Sequence, residues 1–121
     1  MKDNVLREKS FAFALTIIQT FRSGRIEPND YILVKQLIRS GTSIGANIEE
    51  AIGACSEKEF LMKLTIAYKE ARESLFWLRL MKESTILGGE RSSELIERCE
   101  ELCRIMSAIQ RTMKQKHAKK L

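Results

Sequence analysis

The chain of 121 residues has 31% charged and 44% hydrophobic side chains, a net charge of +5 and a single proline. This composition is typical of one globular domain over residues 1–121, long enough to form a core without disulfides or metal. It excludes disordered and turn-rich β proteins, and no apolar run reaches the roughly 20 residues of a membrane span. Because the N-terminus MKDNVLREKS lacks the apolar region of a signal peptide, we expect a cytoplasmic protein without membrane contact.

The first predicted helix carries an apolar stripe at intervals of three and four residues. Its members are Phe11, Ala14, Leu15, Ile18 and Phe21. A weaker apolar set off this stripe consists of Leu6, Phe13 and Ile17. The segment SGRIEPND ends the helix, since Gly24 can terminate it and Pro28 suits the start of the next. The main stripe is therefore the expected core-facing side.

The second predicted helix has an apolar face that includes two glycines. Its larger members are Val34, Leu37, Ile38, Ile44, Ile48, Ile52 and Cys55. Gly41 and Gly45 fall on the same face, although each costs about 1 kcal/mol against alanine inside a helix. We therefore expect another helix, or a large side chain, to approach them closely. The candidates for that side chain are Phe11, Phe60 and Phe76. The alternative is a helix break near Gly41, with a restart capped by Thr42 or Ser43.

The opposite face of the second helix carries a polar row at spacings of three and four residues. The row consists of Arg39, Ser43, Asn47 and Glu50. It can face solvent, meet another subunit or hold a ligand. Glycines among hydroxyls also resemble a phosphate-binding loop, but the P-loop spacing and its lysine are missing and no strand precedes the segment. The pattern therefore favours a helix over a phosphate loop.

The third predicted helix begins at a capping box, where Ser56 and Glu59 precede an apolar run. Its inner stripe is Phe60, Leu64, Ala67, Ala71, Leu75 and Leu78. A second apolar set on the opposite side contains Met62, Ile66, Phe76, Trp77 and Leu80. One bundle core cannot cover both sides, so we predict that the second set forms a homo-oligomer interface anchored by Trp77. The alternative is that Trp77 lies along the protein's own surface.

The fourth predicted helix follows the Gly88–Gly89 break, with Ser92 or Ser93 as its cap. Its inner residues are Leu95, Cys99, Leu102, Met106, Ile109 and Met113. Acidic residues precede basic ones along it, including Arg104, which complements the helix dipole. Four helices with short connections predict an all-α fold, an up-down-up-down antiparallel four-helix bundle.

Charged side chains on the third helix have the spacing of local ion pairs. The segment KEARE contains Lys69, Glu70, Arg72 and Glu73. Residues three and four apart are neighbours on a helix surface, so we expect these charges to pair along the helix.

The net positive charge lies in the last eleven residues, RTMKQKHAKKL. This tail, at about 111–121, contains Arg111, Lys114, Lys116, Lys119 and Lys120. It has no acidic residue, so residues 1–110 carry no net charge. A terminal block of like charge often binds nucleic acid, and these cations would contact phosphates without reading sequence. The plain alternative is a solvated helix end whose cations favour the C-terminal dipole.

Motifs for hydrolysis or group transfer are missing from the sequence, including H-E-x-x-H, S-x-x-K and G-x-S-x-G. His117 stands alone in the tail. The three cysteines Cys55, Cys99 and Cys103 lack the spacing of a metal site or disulfide framework, so we expect buried free thiols. We predict no catalytic residue, no metal and no cofactor, and therefore a protein that is not an enzyme.

Two segments together resemble a known bacterial family. They are QLIRSGTSIGANIEEA at 36–51 and EFLMKLTIAYKEARESLFWLRLM at 59–81, in which Phe76 stands where tyrosine is commoner. The chain resembles the four helix bundle protein family, also called the ribosomal-RNA intervening-sequence protein family, over nearly its whole length. The resemblance implies an up-down four-helix bundle that forms ring-shaped homopentamers in some members. A more distant relative, the accessory protein of diversity-generating retroelements, is a pentameric bundle that binds nucleic acid and a reverse transcriptase. No catalytic residue is implied.

Two functions remain. The first is a non-enzymatic homo-oligomer, with a pentamer as the expected state, that binds RNA or DNA through the basic tail. Repetition around a ring would multiply a modest charge into a salt-dependent patch. The alternative is a protein-interaction scaffold or accessory protein without nucleic-acid binding, whose polar row holds subunits or a protein partner.

Overall fold

A computed structural model of the chain describes residues 2–120, with side-chain positions for residues 5–119. The four helices are α1, Lys2–Ser23; α2, Tyr31–Ile52; α3, Glu57–Glu83; and α4, Gly89–Lys120, with a short 3-10 helix at Pro28–Asp30. Each helix contacts the next and α4 contacts α1, so α1 and α3 lie at diagonal corners. This arrangement confirms the predicted all-α four-helix bundle. None of these helices, over the described residues, is both long and apolar enough to cross a membrane.

The C-terminal end of α1 and the start of α3 lie where the predicted glycine stop and capping box placed them. α1 ends where the N–H of Gly24 donates to the carbonyl of Thr20 at 3.2 Å. The hydroxyl oxygen of Ser56 accepts a hydrogen bond from the Glu59 N–H at 3.1 Å. In return the Glu59 carboxylate accepts one from the N–H of Cys55 at 3.3 Å. The predicted cap of α3 is therefore confirmed.

The end of α3 is built differently from the prediction. Thr85, and not one of the following glycines, takes the left-handed backbone conformation, with φ 60°. A β-branched residue seldom adopts this conformation, so the turn is strained. The N–H of Leu87 donates to the carbonyl of Met81 at 3.2 Å, and the Leu87 side chain is buried. This contact folds the chain back over the end of α3.

The start of α4 is also corrected by the structure. α4 begins at Gly89, three residues before Ser92. The hydroxyl of Ser92 is buried and donates to the carbonyl of Gly88 at 2.9 Å. Ser92 and Ser93 therefore lie inside the helix and do not cap it. Gly89 is the first residue of α4, and Gly88 directly precedes it. The two glycines were predicted as the break after the third helix.

The core uses the opposite side of α1 from the predicted one. Its buried residues are Leu6, Ser10, Phe13 and Ile17. The predicted main stripe lies mostly outside, with Phe11 69%, Leu15 43% and Ile18 37% exposed. Both sets have a helical period, so periodicity could not decide between them. The other three helices bury most of their predicted stripes.

Gly41 faces a buried side chain of α1. A Cβ atom there would collide with Cδ1 of Ile17, so an alanine would require that side chain to move. At Gly45 a Cβ would lie 3.6 Å from the backbone oxygen of Ser10, which is ordinary contact. The expected close approach is confirmed at Gly41, and α2 runs on without the alternative break. The predicted contact of the glycines with Phe11, Phe60 or Phe76 is wrong, because Ile17 and Phe13 are the side chains next to Gly41.

Gly41 and Gly45 should respond differently to the same substitution. Gly45→Ala should raise the free energy of unfolding by about 0.5–1 kcal/mol, because it improves helix propensity without a clash. Gly41→Ala should lower it by up to about 2 kcal/mol, because overpacking against Ile17 exceeds that gain. Urea unfolding followed by circular dichroism measures both. Equal effects would contradict the close approach at Gly41.

Candidate functional site

The polar row lies along the contact between α2 and α3. Its two charged residues form ion pairs with side chains of α3 in the same chain. The guanidinium of Arg39 forms ion pairs with Glu70, at 3.2 Å, and with Glu73. At the other end of the row, the ammonium of Lys63 donates to the Glu50 carboxylate at 2.7 Å. This hydrogen bond, helped by the charge on Glu50, raises the pKa of Lys63. The polar row thus connects α2 to α3 within one chain.

The middle of the row is satisfied within α2. The amide nitrogen of Asn47 donates to the carbonyl of Ser43 at 2.9 Å and contacts its hydroxyl at 3.1 Å. Beneath the row, the buried hydroxyls of Ser40 and Ser74 hydrogen-bond to each other at 2.8 Å between α2 and α3. Among the described side chains, no buried nitrogen or oxygen atom lacks a partner. The row therefore has a structural explanation.

The second apolar set of α3 faces outward. Its exposed members, which we call the α3 outer face, are Phe76 at 58%, Met62 at 54%, Leu80 at 39% and Ile66 at 37%. Trp77 is half-buried, and its indole N–H donates to the Glu73 carboxylate at 2.9 Å. The ring of Phe76 packs edge-on against it, with centroids 5.1 Å apart. Trp77 therefore lies along the protein's own surface, and Phe76 is the largest exposed side chain of the face.

A second exposed apolar surface lies on α1. It consists of Phe11, Leu15 and Ile18, and we call it the α1 outer face. Since α1 and α3 occupy diagonal corners, the two outer faces lie on opposite corners of the bundle. The molecule thus has two separate apolar faces that its own core does not use.

The basic tail is the last part of α4, so the structure places it on a helix. Its side chains Arg111, Lys114, Lys116 and Lys119 are exposed, and that of Lys120 lies outside the described residues. Lys116 and His117 reach the carboxylate of Glu57 at 3.9 and 4.0 Å, so His117 has a neighbour after all. No acidic residue follows Glu101 in the sequence. The end of α4 is therefore consistently basic.

Sequence reasoning missed a basic groove between α3 and α4. The groove has a volume of about 450 Å³ and is lined by Arg72, Arg104 and Arg111. Tyr68 and Ser107 also line it, and Glu100 is the one carboxylate among its lining residues. Within the described side chains, none of the three guanidiniums lies within 4.0 Å of a carboxylate. We call this the arginine groove.

The arginine groove was missed because Arg72 was assigned to local pairs. The acids Glu70 and Glu73 bind Arg39 from α2 instead, which leaves Arg72 on the side facing α4. The other signal was the spacing of Arg104 and Arg111, which are two helical turns apart and so share one side of α4. That spacing is visible in the sequence, but the approach of Arg72 is not.

Two cysteines lie under the arginine groove, and the third does not. Cys99 and Cys103 are buried free thiols, as predicted, whereas Cys55 is exposed in the connection before α3. The Sγ of Cys99 lies 3.2 Å from the carbonyl of Ala71. The interaction between the two neighbouring thiols, together with burial, raises the pKa of Cys99, whereas the same interaction and the charge on Arg72 lower the pKa of Cys103. Within the described residues, no three potential ligands gather to hold a metal.

The Arg39 ion pairs should make a measurable, salt-sensitive contribution to stability. Arg39→Met should lower the free energy of unfolding by about 1 kcal/mol, because exposed pairs are weak and the variant leaves Glu70 and Glu73 as neighbouring like charges on α3. About 0.5 M NaCl should shrink the difference by screening. The control Lys35→Met removes an exposed lysine of the same helix. An equal loss in both variants would contradict the role of Arg39.

Comparisons with known proteins agree with this architecture. A family model described as "23S rRNA-intervening sequence protein" matches residues 2–108. A solved structure of a protein with unknown function from the S23 ribosomal protein family of Bacteroides thetaiotaomicron is similar to this chain, with 38% identity and a TM-score of 0.85. The match covers 92% of this chain and 99% of that chain. No curated protein matches. The chain belongs to the 23S rRNA-intervening sequence protein family.

Proposed function

We propose that this protein is a non-enzymatic homo-oligomer that binds RNA or DNA through the basic end of α4. One observation carries the proposal: no acid follows Glu101, whereas lysine and arginine recur on an ordered helix to its end. Arg111, Lys114 and Lys119 are exposed and have no ion-pair partner among the described side chains. Phosphate is the natural ligand of such a surface.

The charge is held in place by the helix. A helical segment already has an ordered backbone, so less backbone conformational entropy is lost when phosphates bind. Among the described lysine and arginine side chains of the tail, only Lys116 approaches a carboxylate, that of Glu57, at 3.9 Å and with both groups exposed. An exposed pair of this kind contributes little and is screened by salt, so it leaves Lys116 available. The contacts would hold phosphates in any sequence context.

The two outer faces support a homo-oligomer. A contact between the α3 outer face of one copy and the α1 outer face of the next would be heterologous, and such contacts close into rings when the rotation permits. Large exposed aromatic side chains such as Phe76 and Phe11 are typical of interfaces. We propose a ring, with the pentamer as the expected state. Each copy would add one basic helix end, so that weak single contacts act together.

A protein-interaction scaffold remains the second candidate. The observation that favours it is the exposed aromatic ring of Phe76, since aromatic side chains are enriched in protein interfaces. The polar row gives it less support, because Arg39 and Glu50 are bound to α3 of the same chain. A protein partner would then replace a second copy on the α3 outer face.

Neutralising the tail should weaken nucleic-acid binding. For Lys114→Gln/Lys116→Gln/Lys119→Gln we expect the slope of log affinity against log salt to fall by about 2, since each phosphate contact with a single strand contributes roughly 0.7. A chain ending at Gln110 should bind more weakly still. Fluorescence anisotropy with labelled RNA and DNA oligonucleotides, at about 50 and 200 mM salt, measures this.

The control for the tail variant removes three exposed cations elsewhere, in Arg25→Gln/Lys35→Gln/Lys82→Gln. It carries the same net charge, so a fall confined to the tail variant identifies the site. If the unaltered protein binds neither RNA nor DNA at low salt, the nucleic-acid proposal is wrong and the scaffold is favoured.

Charge on the α3 outer face should break the oligomer. We expect the unaltered protein to sediment as an oligomer at micromolar concentration, and Met62→Asp/Phe76→Asp to sediment as a monomer, because the interface would bury unpaired carboxylates. Ala108→Asp, at an exposed position of α4, is the control and should stay oligomeric. Sedimentation velocity distinguishes the species. A monomeric unaltered protein would overturn the ring.

A further inference from the structure

The arginine groove continues the basic end of α4 into the body of the bundle. Arg104 and Arg111 lie on one side of α4, about 10 Å apart along its axis. Lys114 follows Arg111 by one turn and extends the same line toward the C-terminus. Arg72 enters the groove from α3, opposite the α4 arginines. The cations thus form a track along the contact between two helices.

The arginines of this track form no ion pair among the described side chains, and Glu100 is the one carboxylate in the groove lining. Arg104 also lines an adjoining pocket with Glu94, Glu97 and Glu101, so these acids partly offset the charge at that end of the track. The charge on Arg72 helps to lower the pKa of the buried Cys103 thiol. The guanidiniums of Arg72 and Arg111 therefore remain available to an anion in the groove.

We propose that the arginine groove binds the phosphodiester backbone of a single nucleic-acid strand, with Arg72, Arg104 and Arg111 on its phosphates. The proposal rests on the proposed function and moves the main contact from the helix end into the body. Guanidinium forks bind phosphate oxygens bidentately, which a lysine cannot do. The spread of the arginines along a line suits successive phosphates, whereas a single anion would need them to converge.

The rest of the lining fits one strand. Tyr68 offers an aromatic ring on which a base can stack, and Ser107 offers a hydroxyl to a phosphate or sugar. Stacking on Tyr68 requires an unpaired base, which a single strand offers and a duplex does not. We therefore infer a preference for single-stranded RNA or DNA.

The test compares two double variants of equal net charge. Arg72→Gln/Arg104→Gln removes groove cations and leaves the tail intact, whereas Arg22→Gln/Arg25→Gln removes exposed arginines near the end of α1. Binding of a labelled single-stranded oligonucleotide, measured by anisotropy, should weaken about tenfold for each groove arginine, the size of one charge-assisted hydrogen bond. The α1 variant should change affinity less than about twofold, because its charges lie outside the groove. The chain ending at Gln110 should retain part of the groove-dependent binding.

Arg72→Lys/Arg104→Lys keeps the charge and serves as the second groove variant. It should bind more weakly than the unaltered protein and more tightly than the glutamine variant, because it loses bidentate contacts only. Circular dichroism checks that each variant is folded. If the glutamine variant does not fold, the lysine variant decides: unchanged affinity in it overturns the proposal.

The outcomes separate this proposal from the proposed function. If the protein binds oligonucleotides but the groove and α1 variants bind equally, the groove proposal is wrong and binding through the tail survives. Tighter binding of a duplex than of a single strand would also overturn it. Titration with inorganic phosphate and with a mononucleotide distinguishes other sources of phosphate, and binding of either as tight as that of the oligonucleotide would contradict a strand. If no nucleic acid binds at all, both proposals fail.

Discussion

Close packing of α2 against its two neighbours is the constraint on which the rest of the structure depends. Gly41 admits Ile17 from α1, and the hydroxyls of Ser40 and Ser74 meet at 2.8 Å between α2 and α3. A buried hydroxyl without a partner costs about 1–3 kcal/mol, so this hydrogen bond favours one register of α3 along α2. A slip of α3 by one turn along α2 would separate the two serines.

That register places acidic and basic side chains of α3 on two different sides of the helix. It brings Glu70 and Glu73 beside Arg39, so the acids are neutralised by α2 and not by their neighbours in sequence. Arg72 lies on the other flank and faces α4. Its local partners are already engaged, and a pair along the helix would contribute only about 0.2–0.5 kcal/mol. The separation of acids and arginine is thus a consequence of helix packing.

Much of this architecture could be predicted from the sequence. The four helices, the cap at Ser56, the close approach at Gly41 and the two apolar sides of α3 follow from local patterns. The core side of α1 could not be predicted, because two apolar sets share one period and only the fit of Ile17 against Gly41 selects between them. The turn at Thr85 was missed because its backbone conformation is one that glycine would normally supply. The arginine groove could not be predicted, because the sequence does not show that Glu70 and Glu73 pair with Arg39 and leave Arg72 facing α4.

The arginine groove and the α3 outer face adjoin on α3, where Arg72, Phe76 and Leu80 line one pocket. Tyr68, on the groove side, stands about a third of a turn from Met62 around α3. In the proposed ring, a neighbour that covers Phe76 would border the groove at Arg72, and the groove would recur once per copy. Several weak phosphate sites held on one rigid assembly bind far more tightly than one, provided that a strand can span them. Strong binding would then not require a strongly basic chain. Residues 1–110 carry no net charge, yet they contribute Arg72 to the track because helix packing directs Glu70 and Glu73 to Arg39 instead.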